Sequence, residues 1–283
     1  MVADRGPRDG GPDARVSEAA EVEQRVVEVG AGRVEIYVDV KGEGPPLLFL
    51  HPASGLYWDD FLNRLAERHM VYAPNVPGTG PSPPQVILDV ADLLDLVLLY
   101  EEAVRKLDLE HVPLVGLSFG GMLAAELAAT FPRHFSRLVL LAPIGLWRDD
   151  LPLGDWVTAP PEAIPRLFFH DPDSEAARAA LASQAKSGDE IAAIAAEQWA
   201  LGCTSRFVWP VPDKGLSRRL HRIDVPTLVI WGREDALVSC EYAEEFASRI
   251  PTSEVVLVGG AGHALEVERL DEVERLVREF LAS

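Results

Sequence analysis

The eleven residues from Val112 to Met122 constrain the fold of this chain more than any other stretch. A short apolar run ends at Gly116, a serine follows at position 118, and an alanine-rich helical pattern comes directly afterwards. This order predicts a strand, a very tight turn and a helix, with Ser118 at the apex. Glycines at positions 116 and 120 fit that geometry, because strand and helix pass close together at such a turn.

Apolar runs and helical patterns alternate on both sides of this stretch. Strand-like patterns begin with a hairpin at 22–29 and 34–40, and helical spacing recurs between the later runs. The longest helical pattern, 88–107, has Asp89 placed as its N-cap. The pattern predicts an α/β fold, in which a doubly wound, mostly parallel sheet is covered by helices on both faces. Further strands are predicted at 47–50, 70–73, 112–115, 137–142, 226–231 and 254–258, and further helices at 58–68, 122–131, 240–250 and 265–281.

The alternation stops between Pro143 and Ile223. This segment contains helical patterns near 174–186 and 190–201, and it begins at the carboxyl end of a predicted strand, where ligands bind in open α/β sheets. We predict a helical cap or lid at 144–223, inserted into a core formed by 21–143 and 224–283. Residues 1–20 are rich in Gly, Pro, Asp and Arg and have no apolar segment like that of a signal peptide, so we predict a disordered leader.

The amino-acid composition limits the kinds of molecule that this protein can bind. The chain has 45 acidic and 26 basic residues and a formal charge of −19, which disfavours nucleic acid and anionic membranes. Its most apolar run, 86–100, is interrupted by three aspartates and is too short to span a bilayer. Two cysteines outside any C-x-x-C pattern favour a reducing compartment, the cytoplasm. No metal-ligand spacing or phosphate-binding glycine loop occurs, so no metal or cofactor is expected, and the oligomeric state, a homo-oligomer included, stays open.

Ser118 requires a neighbouring base, because a serine hydroxyl is a poor nucleophile at neutral pH. His263 is the candidate base, since it lies in a glycine-rich turn after the strand predicted at 254–258. Asp235 is the candidate acid that orients the histidine, and it follows the strand predicted at 226–231. Both positions fall at the carboxyl edge of the sheet. The chain order serine, acid, histidine is the one described for a nucleophile elbow.

Other acids compete for the role of Asp235. Glu234 is its direct neighbour. Asp149 and Asp150 also follow the end of a predicted strand, at the beginning of the insertion. The sequence favours Asp235 and leaves these alternatives open.

With these residues placed, the chain resembles the α/β-hydrolase superfamily, in particular its cap-containing members with a serine nucleophile, over Val26 to Leu281. Asn75 and Pro52 stand where the family usually has Asp and Gly. The stretches that carry the resemblance are His-Pro-Ala at 51–53, Asn-Val-Pro-Gly-Thr-Gly-Pro-Ser at 75–82, Gly-Leu-Ser-Phe-Gly-Gly at 116–121, Trp-Gly-Arg-Glu-Asp at 231–235 and Gly-Gly-Ala-Gly-His at 259–263.

The resemblance implies an oxyanion hole formed by the backbone N–H groups of Ala53 and Phe119. Pro52 has no N–H to donate, but the family's donor is the residue after it. His51 is expected to brace this loop. The insertion is expected to line a substrate pocket with Trp147, Phe168 and Trp199, together with Tyr57 and Trp58 from the core.

The resulting prediction is a carboxylesterase-like serine hydrolase. It would cleave a small, mainly apolar or aromatic ester, thioester or related carbonyl compound through an acyl-enzyme on Ser118. A serine at this position argues against the family members with an aspartate nucleophile, the haloalkane dehalogenases and epoxide hydrolases. Three alternatives stay open: hydrolysis of carbon–carbon bonds in vinylogous diketones, a cofactor-free lyase or cyclase, and a ligand-binding protein. Aminopeptidase action is also possible, but it needs acidic cap residues directed at a substrate amine, and the sequence does not place them.

Overall fold

The computed structural model describes residues 21–156, 159–160, 162–184, 190–210 and 212–283. The leader predicted at 1–20 lies outside these residues. So do residues 185 and 186, the end of the helical pattern predicted at 174–186.

Eight strands of the described residues form one sheet in the order β1-β2-β4-β3-β5-β6-β7-β8. β1 and β2 form the predicted antiparallel hairpin, β2 is antiparallel to β4, and every later pairing is parallel. The mostly parallel α/β sheet predicted from the sequence is therefore confirmed. The strands are β1 Glu23–Val29, β2 Val34–Lys41, β3 Pro46–Leu50, β4 Met70–Pro74, β5 Val112–Leu117, β6 Phe135–Leu141, β7 Thr227–Gly232 and β8 Ser253–Val258.

Helices cover both faces of the sheet. The third helix packs on β3, β5 and β6 and contacts the second, whereas the first packs on β4 and contacts the ninth. Right-handed crossovers place helices on both faces, because the strand order advances toward one edge of the sheet from β3 to β4 and toward the opposite edge from β5 to β8. The helices are α1 Asp60–Ala66, α2 Leu93–Lys106, α3 Phe119–Thr130, α4 Ile164–Phe168, α5 Glu175–Gln184, α6 Glu190–Val208, α7 Tyr242–Ala247, α8 Leu265–Glu268 and α9 Leu270–Ala282, with 3₁₀ helices at Pro84–Asp89, Pro132–His134, Leu216–Arg218 and Leu220–Arg222.

The reversal of direction creates a switch point between β3 and β5. These two strands are hydrogen-bonded neighbours, although β4 and α2 separate them along the chain. The loops that follow them therefore leave the same edge of the sheet side by side. Ligands bind at such a switch point in open α/β sheets.

The helix predicted at 88–107 begins later than the sequence pattern indicates. Asp89 ends a 3₁₀ helix, and the N-cap of α2 is Asp92, whose side chain accepts a 2.9 Å hydrogen bond from the backbone N–H of Asp95. Val90 explains the difference. Its side chain is fully buried and its backbone is extended, at φ −104° and ψ 112°, so the two helices cannot be continuous. The prediction that Asp89 caps this helix was wrong.

The helix predicted at 265–281 is two helices. α8 ends at Glu268 and α9 begins at Leu270, because Arg269 adopts φ −132° and ψ 45°. The guanidinium of Arg269 donates a 3.0 Å hydrogen bond to the carbonyl of Gly260, which holds the break in place. Leu265 and Glu266, both in α8 before the break, are buried.

The end of the segment inserted between β6 and β7 is fastened to α3. Glu126 of α3 is 3% exposed, and its carboxylate accepts hydrogen bonds of 2.8 and 2.6 Å from Arg219. Arg222 donates to the carbonyl of Ala129, at the end of the same helix, over 2.9 Å. A bidentate pair of this kind fixes direction as well as distance.

We expect Arg219→Ala to lower the free energy of unfolding by about 2 kcal/mol. It leaves the buried Glu126 carboxylate without its partner, and the usual cost of an orphaned buried charge is reduced here because Arg219 is 36% exposed. Arg218→Ala is the matched control, since this neighbouring arginine is exposed and should change stability by less than about 0.5 kcal/mol. Urea unfolding measures both, and equal effects would contradict the role of the pair.

Candidate active site

Ser118 occupies a strained turn between β5 and α3. Its φ is +55° and its ψ −113°, a combination that costs a non-glycine residue about 1–3 kcal/mol. Backbone hydrogen bonds on both sides hold it there. The N–H of Ser118 donates to Leu141 over 2.9 Å, and its carbonyl accepts from Met122 at 3.1 Å and Ile144 at 3.2 Å. The side chain is thereby presented at the carboxyl edge of the sheet.

Two glycines allow this turn to approach its neighbours. A Cβ atom at Gly120 would collide with the backbone carbonyl of Leu50, the last residue of β3. A Cβ atom at Gly116 would collide with the carbonyl of Gly120 and lie 2.8 Å from the Cβ of Ala124. The Gly-x-Ser-x-Gly spacing therefore reflects contacts with backbone atoms, which cannot move aside as a flexible side chain can.

The structure brings Ser118, His263 and Asp235 into one hydrogen-bonded chain. The Nε2 atom of His263 lies 2.8 Å from the Oγ of Ser118, and its Nδ1 atom lies 2.8 Å from the Oδ2 of Asp235. All three residues are buried, at 6%, 3% and 8% exposure in that order. They follow β5, β8 and β7 respectively, at the carboxyl ends of parallel strands, where the sequence predicted them.

The hydrogen bonds around Asp235 define the protonation of the group. Its Oδ1 accepts from the backbone N–H groups of Leu237 at 2.9 Å and Val238 at 2.8 Å, and its Oδ2 accepts from the indole of Trp231 at 3.0 Å. An acid surrounded by donors is an ionised carboxylate. His263 therefore carries its proton on Nδ1, and its Nε2 is free to accept the proton of Ser118.

The competing acids lie elsewhere. Glu234 accepts the backbone N–H of Gly260 over 2.7 Å and so stabilises the glycine-rich turn. Asp150 pairs with Arg148, and Asp149 accepts a hydrogen bond from a nearby indole. In the described part of the chain, none of these three carboxylates is hydrogen-bonded to the histidine.

The two predicted oxyanion donors come from adjacent strands. Ala53 lies in the turn after β3, closed by a 3.2 Å hydrogen bond from the N–H of Gly55 to the carbonyl of Pro52. Phe119 is the first residue of α3, where the helix dipole favours negative charge. Among the described residues, neither of these N–H groups is hydrogen-bonded to a protein acceptor. Both are therefore available to a ligand oxygen.

His51 joins this turn to the loop after β4. Its Nε2 accepts the backbone N–H of Val76 over 3.2 Å, so its Nδ1 carries the proton and donates to the carbonyl of Pro52 over 2.7 Å. Burial disfavours the charged imidazolium and lowers the pKa of His51 to about 4. The residue is thus a neutral brace for the turn that carries Ala53.

A cavity of about 200 Å³ opens beside Ser118 and His263. Tyr57 and Phe168 line it, as predicted from the sequence. The ring of Phe168 meets the imidazole of His263 edge to face, with centroids 5.7 Å apart. The other described residues of its wall are mainly apolar and include Phe49, Leu117, Trp156, Ile164, Pro165, Phe169, Leu181 and Leu201.

Three of the tryptophans proposed for the pocket lie outside this wall. Trp58 lines a neighbouring cavity and bonds to Asn63. Trp147 is 36% exposed and bonds to Asp149. Trp199 is 45% exposed, and its indole donates a 2.7 Å hydrogen bond to the carbonyl of Gly78, which ties α6 to the loop after β4.

Sequence reasoning missed three acidic residues of the cavity wall, Asp59, Glu197 and Glu266. Asp59 and Glu197 lie inside helical patterns that gave no reason to distinguish them from solvent-facing acids. Glu266 had a usable signal, because it lies only three residues after His263 and its backbone must remain near the histidine.

One further feature concerns membranes. Within the ranges that the structure describes, no helix is both long enough and apolar enough to cross a bilayer.

A family model described as "Alpha/beta hydrolase family" matches residues 47–276. The chain therefore belongs to the α/β-hydrolase family. The match contains every strand from β4 to β8, the serine turn and the positions of Asp235 and His263.

Several known proteins are similar to this chain. A polyketide synthase of Burkholderia thailandensis is 29% identical over 89% of the chain, although the match spans only 12% of that protein. A 2-hydroxy-6-oxo-6-phenylhexa-2,4-dienoate hydrolase of Burkholderia cepacia is 25% identical over 90% of the chain and 94% of its own length.

Solved structures share the fold. A meta-cleavage product hydrolase of Pseudomonas fluorescens superposes with a TM-score of 0.72 at 22% identity, covering 91% of this chain and 97% of its own. A naproxen esterase of Bacillus subtilis gives a TM-score of 0.71 at 19% identity, covering 92% and 91%. At this level of identity the likeness establishes the fold.

We expect His51 to make the protein less stable in acid. Its folded-state pKa of about 4 lies below the ordinary value of 6.5, so the unfolded chain takes up the proton first as the pH falls. The stability that this residue contributes is complete above pH 6.5 and is lost as the pH falls toward 4, with a loss of about 2 kcal/mol between pH 7 and pH 5. Urea unfolding at both pH values should show a smaller loss for His51→Gln, and an equal loss would contradict the assignment.

Proposed function

We propose that this protein is a serine hydrolase that cleaves a small, mainly apolar ester, thioester or related carbonyl compound. The observation that carries the proposal is the pair of 2.8 Å contacts that link Ser118 to His263 and His263 to Asp235 beside a mainly apolar cavity. Nucleophile, base and orienting acid in hydrogen-bond contact are the arrangement that activates a serine.

In this mechanism Ser118 attacks the substrate carbonyl while the Nε2 of His263 takes its proton. Asp235 stays ionised and stabilises the imidazolium, because its three other hydrogen bonds keep its carboxylate in place. The negative charge that forms on the carbonyl oxygen is received by the N–H groups of Ala53 and Phe119. Each such donor contributes about 3 kcal/mol to the stabilisation of the transition state.

His263 then returns the proton to the leaving group, and an acyl-enzyme remains on Ser118. A water molecule, deprotonated by the same histidine, attacks the acyl carbonyl. The bond from the carbonyl carbon to the Oγ of Ser118 then breaks, the imidazolium returns the proton to that oxygen, and the acid leaves. Burial of the three residues supports this reaction, because charges interact more strongly in a site from which water is excluded.

The inserted segment acts as a cap in this proposal. It contributes Trp156, Phe168 and Leu201 to the cavity wall, to which the core contributes Ser118 and Tyr57. An apolar wall of this kind favours an acyl group or an aromatic ring over a sugar or a phosphate.

Hydrolysis of carbon–carbon bonds is the second candidate, because the Burkholderia cepacia relative is a dienoate hydrolase. A dienoate carries a carboxylate, which a mainly apolar site binds only with a cationic or hydrogen-bonding partner. No lysine or arginine occurs among the described residues of the cavity wall, whereas Asp59, Glu197 and Glu266 do. The charge of the cavity therefore favours the ester over the dienoate. The charge of the cavity does not distinguish a hydrolase from a lyase, a cyclase or a ligand-binding protein. Assays of ester hydrolysis and of labelling at Ser118 make that distinction.

A cytoplasmic location belongs to the same proposal. Cys203 and Cys240, the two cysteines of the chain, are both free thiols, which supports a reducing compartment.

We expect the protein to hydrolyse 4-nitrophenyl butyrate and to react with a fluorophosphonate probe. Ser118→Ala should abolish labelling, and it, His263→Ala and Asp235→Asn should each lower kcat by about 10⁴-fold or more, because the three groups act as a unit. Ser248→Ala, at an exposed serine after α7, is the control that should retain full labelling. Labelling that persists in Ser118→Ala, or a folded protein inert to both reagents, would contradict the proposal.

A second assay separates the two hydrolytic candidates. With 2-hydroxy-6-oxo-6-phenylhexa-2,4-dienoate as substrate, kcat/KM should be lower than with the butyrate ester by about 10- to 100-fold, the cost of a charge without its hydrogen-bonded partner. A higher value for the dienoate would identify a carbon–carbon hydrolase instead.

A further inference from the structure

Two carboxyl groups that the proposed mechanism does not use lie in the wall of the cavity. Glu266 belongs to α8, three residues after His263, and is 7% exposed. Among the described residues, its Oε2 atom is buried and has no hydrogen-bond partner. Asp59 lines the same cavity, and one of its oxygens accepts the N–H of Leu62 over 2.9 Å as the N-cap of α1.

These two groups lie in a partly desolvated and negatively charged environment. Burial, and then the nearby charge of Asp59, raise the pKa of Glu266 to about 8. Burial raises the pKa of Asp59 itself to about 6. Two carboxyl groups held in such a site stabilise a shared proton or a cation, and they disfavour a second negative charge.

A buried oxygen without a donor costs a protein about 1–3 kcal/mol, so it needs an explanation. The protein pairs no cation with Glu266. The described wall of this cavity has no lysine or arginine, and the two arginines of the neighbouring cavity that Glu266 also lines bond to other groups. None of the described donors bonds to the Oε2 atom of Glu266, and a bound ligand can provide the missing donor. Local rules are broken in this way mainly at functional sites.

We propose that Asp59 and Glu266 form a subsite that binds a primary ammonium group of the substrate. The proposal rests on the hydrolase function proposed above and narrows its substrate class to amine-bearing esters, thioesters or related carbonyl compounds. The ammonium group donates its protons to the two carboxylates, and the apolar remainder of the substrate occupies the cavity near Phe168.

A second cavity supplies an approach with matching charge. It measures about 800 Å³, and Asp59 and Glu266 line it as well as the catalytic cavity, so the carboxyl pair lies where the two meet. Its two arginines are engaged, since Arg64 pairs with Asp271 and Arg269 bonds to the carbonyl of Gly260. A cleft with this excess of acid concentrates cations at its inner end. The other acids of its wall are Asp60, Glu268 and Glu272.

The test measures binding without catalysis, in the Ser118→Ala background. Hexylammonium and 1-hexanol have similar shapes and differ in charge, and titration calorimetry gives the Kd of each. We expect hexylammonium to bind at least about 10-fold more tightly, as a charge-assisted hydrogen bond predicts. Adding Glu266→Gln should lower this ratio by about 3-fold or more, since only Asp59 then remains as a charged partner, and should leave the Kd of hexanol unchanged.

Glu197→Gln in the same background is the matched control. It makes the same chemical change in the wall of the same cavity, on α6, and should preserve the preference for hexylammonium. Equal affinities for the two ligands before any change at position 266, or an unchanged ratio in Glu266→Gln, would overturn the subsite. Loss of the preference in Glu197→Gln instead would assign the cation to a different carboxylate and overturn it too.

Thermal unfolding separates recognition from a structural role. Because Glu266 has an unpartnered buried oxygen, Glu266→Gln should melt at the same temperature or a few degrees higher. A large fall in Tm would make Glu266 a structural residue and overturn the proposal. The subsite and the hydrolase function can be contradicted separately. Ester hydrolysis without a preference for hexylammonium would contradict only the subsite. A preference for hexylammonium without ester hydrolysis would contradict only the proposed activity.

Discussion

The contact between the serine turn and the end of β3 is the constraint on which the rest of the site depends. Gly120 lies so close to the carbonyl of Leu50 that no side chain fits between them. This contact sets the strained backbone of Ser118 beside the turn that carries Ala53. The oxyanion hole that we propose, formed by the N–H groups of Ala53 and Phe119, depends on this close approach. The strain at Ser118 is thus a consequence of bringing two strand ends to one point.

The remaining parts of the site are fixed by hydrogen bonds to backbone and indole groups. Asp235 is held by two backbone N–H groups and by Trp231, which itself belongs to β7. His51 holds the neighbouring turn in the same manner, between Val76 and Pro52. Every polar side chain that matters to the proposed chemistry is therefore anchored to the rigid sheet edge, and preorganisation of this kind lets dipoles act without reorienting during the reaction.

The sequence was sufficient for the sheet and for the three hydrogen-bonded residues. Buried parallel strands have continuous apolar runs, and a residue that follows such a run must lie at the carboxyl edge. The sequence alone therefore predicts that Ser118, Asp235 and His263 come together. The predictions that were wrong concerned helix boundaries, which depend on the direction of individual side chains. Val90 and Arg269 interrupt helices because of tertiary packing, which a helical period does not record.

The pocket was the least predictable part for the same reason. Aromatic composition pointed to the insertion, but composition does not record the direction of a side chain, and Trp147 and Trp199 both keep much of their surface exposed. Glu266 was hidden by the assumption of one continuous helix after Leu265. The structure divides that stretch at Arg269 and buries Glu266 before the division.

The bonds from Arg219 and Arg222 to α3 have an evolutionary consequence. They fasten the inserted segment at its downstream end to the helix that begins at the serine turn, through contacts that involve no residue of the cavity wall. Substitutions in the intervening helices can therefore alter which molecules the cavity accepts, while the geometry at the sheet edge is inherited unchanged. The downstream end of the segment is held on α3, while the helices before it are free to change. We expect related chains to differ most in the part of the segment that precedes these bonds.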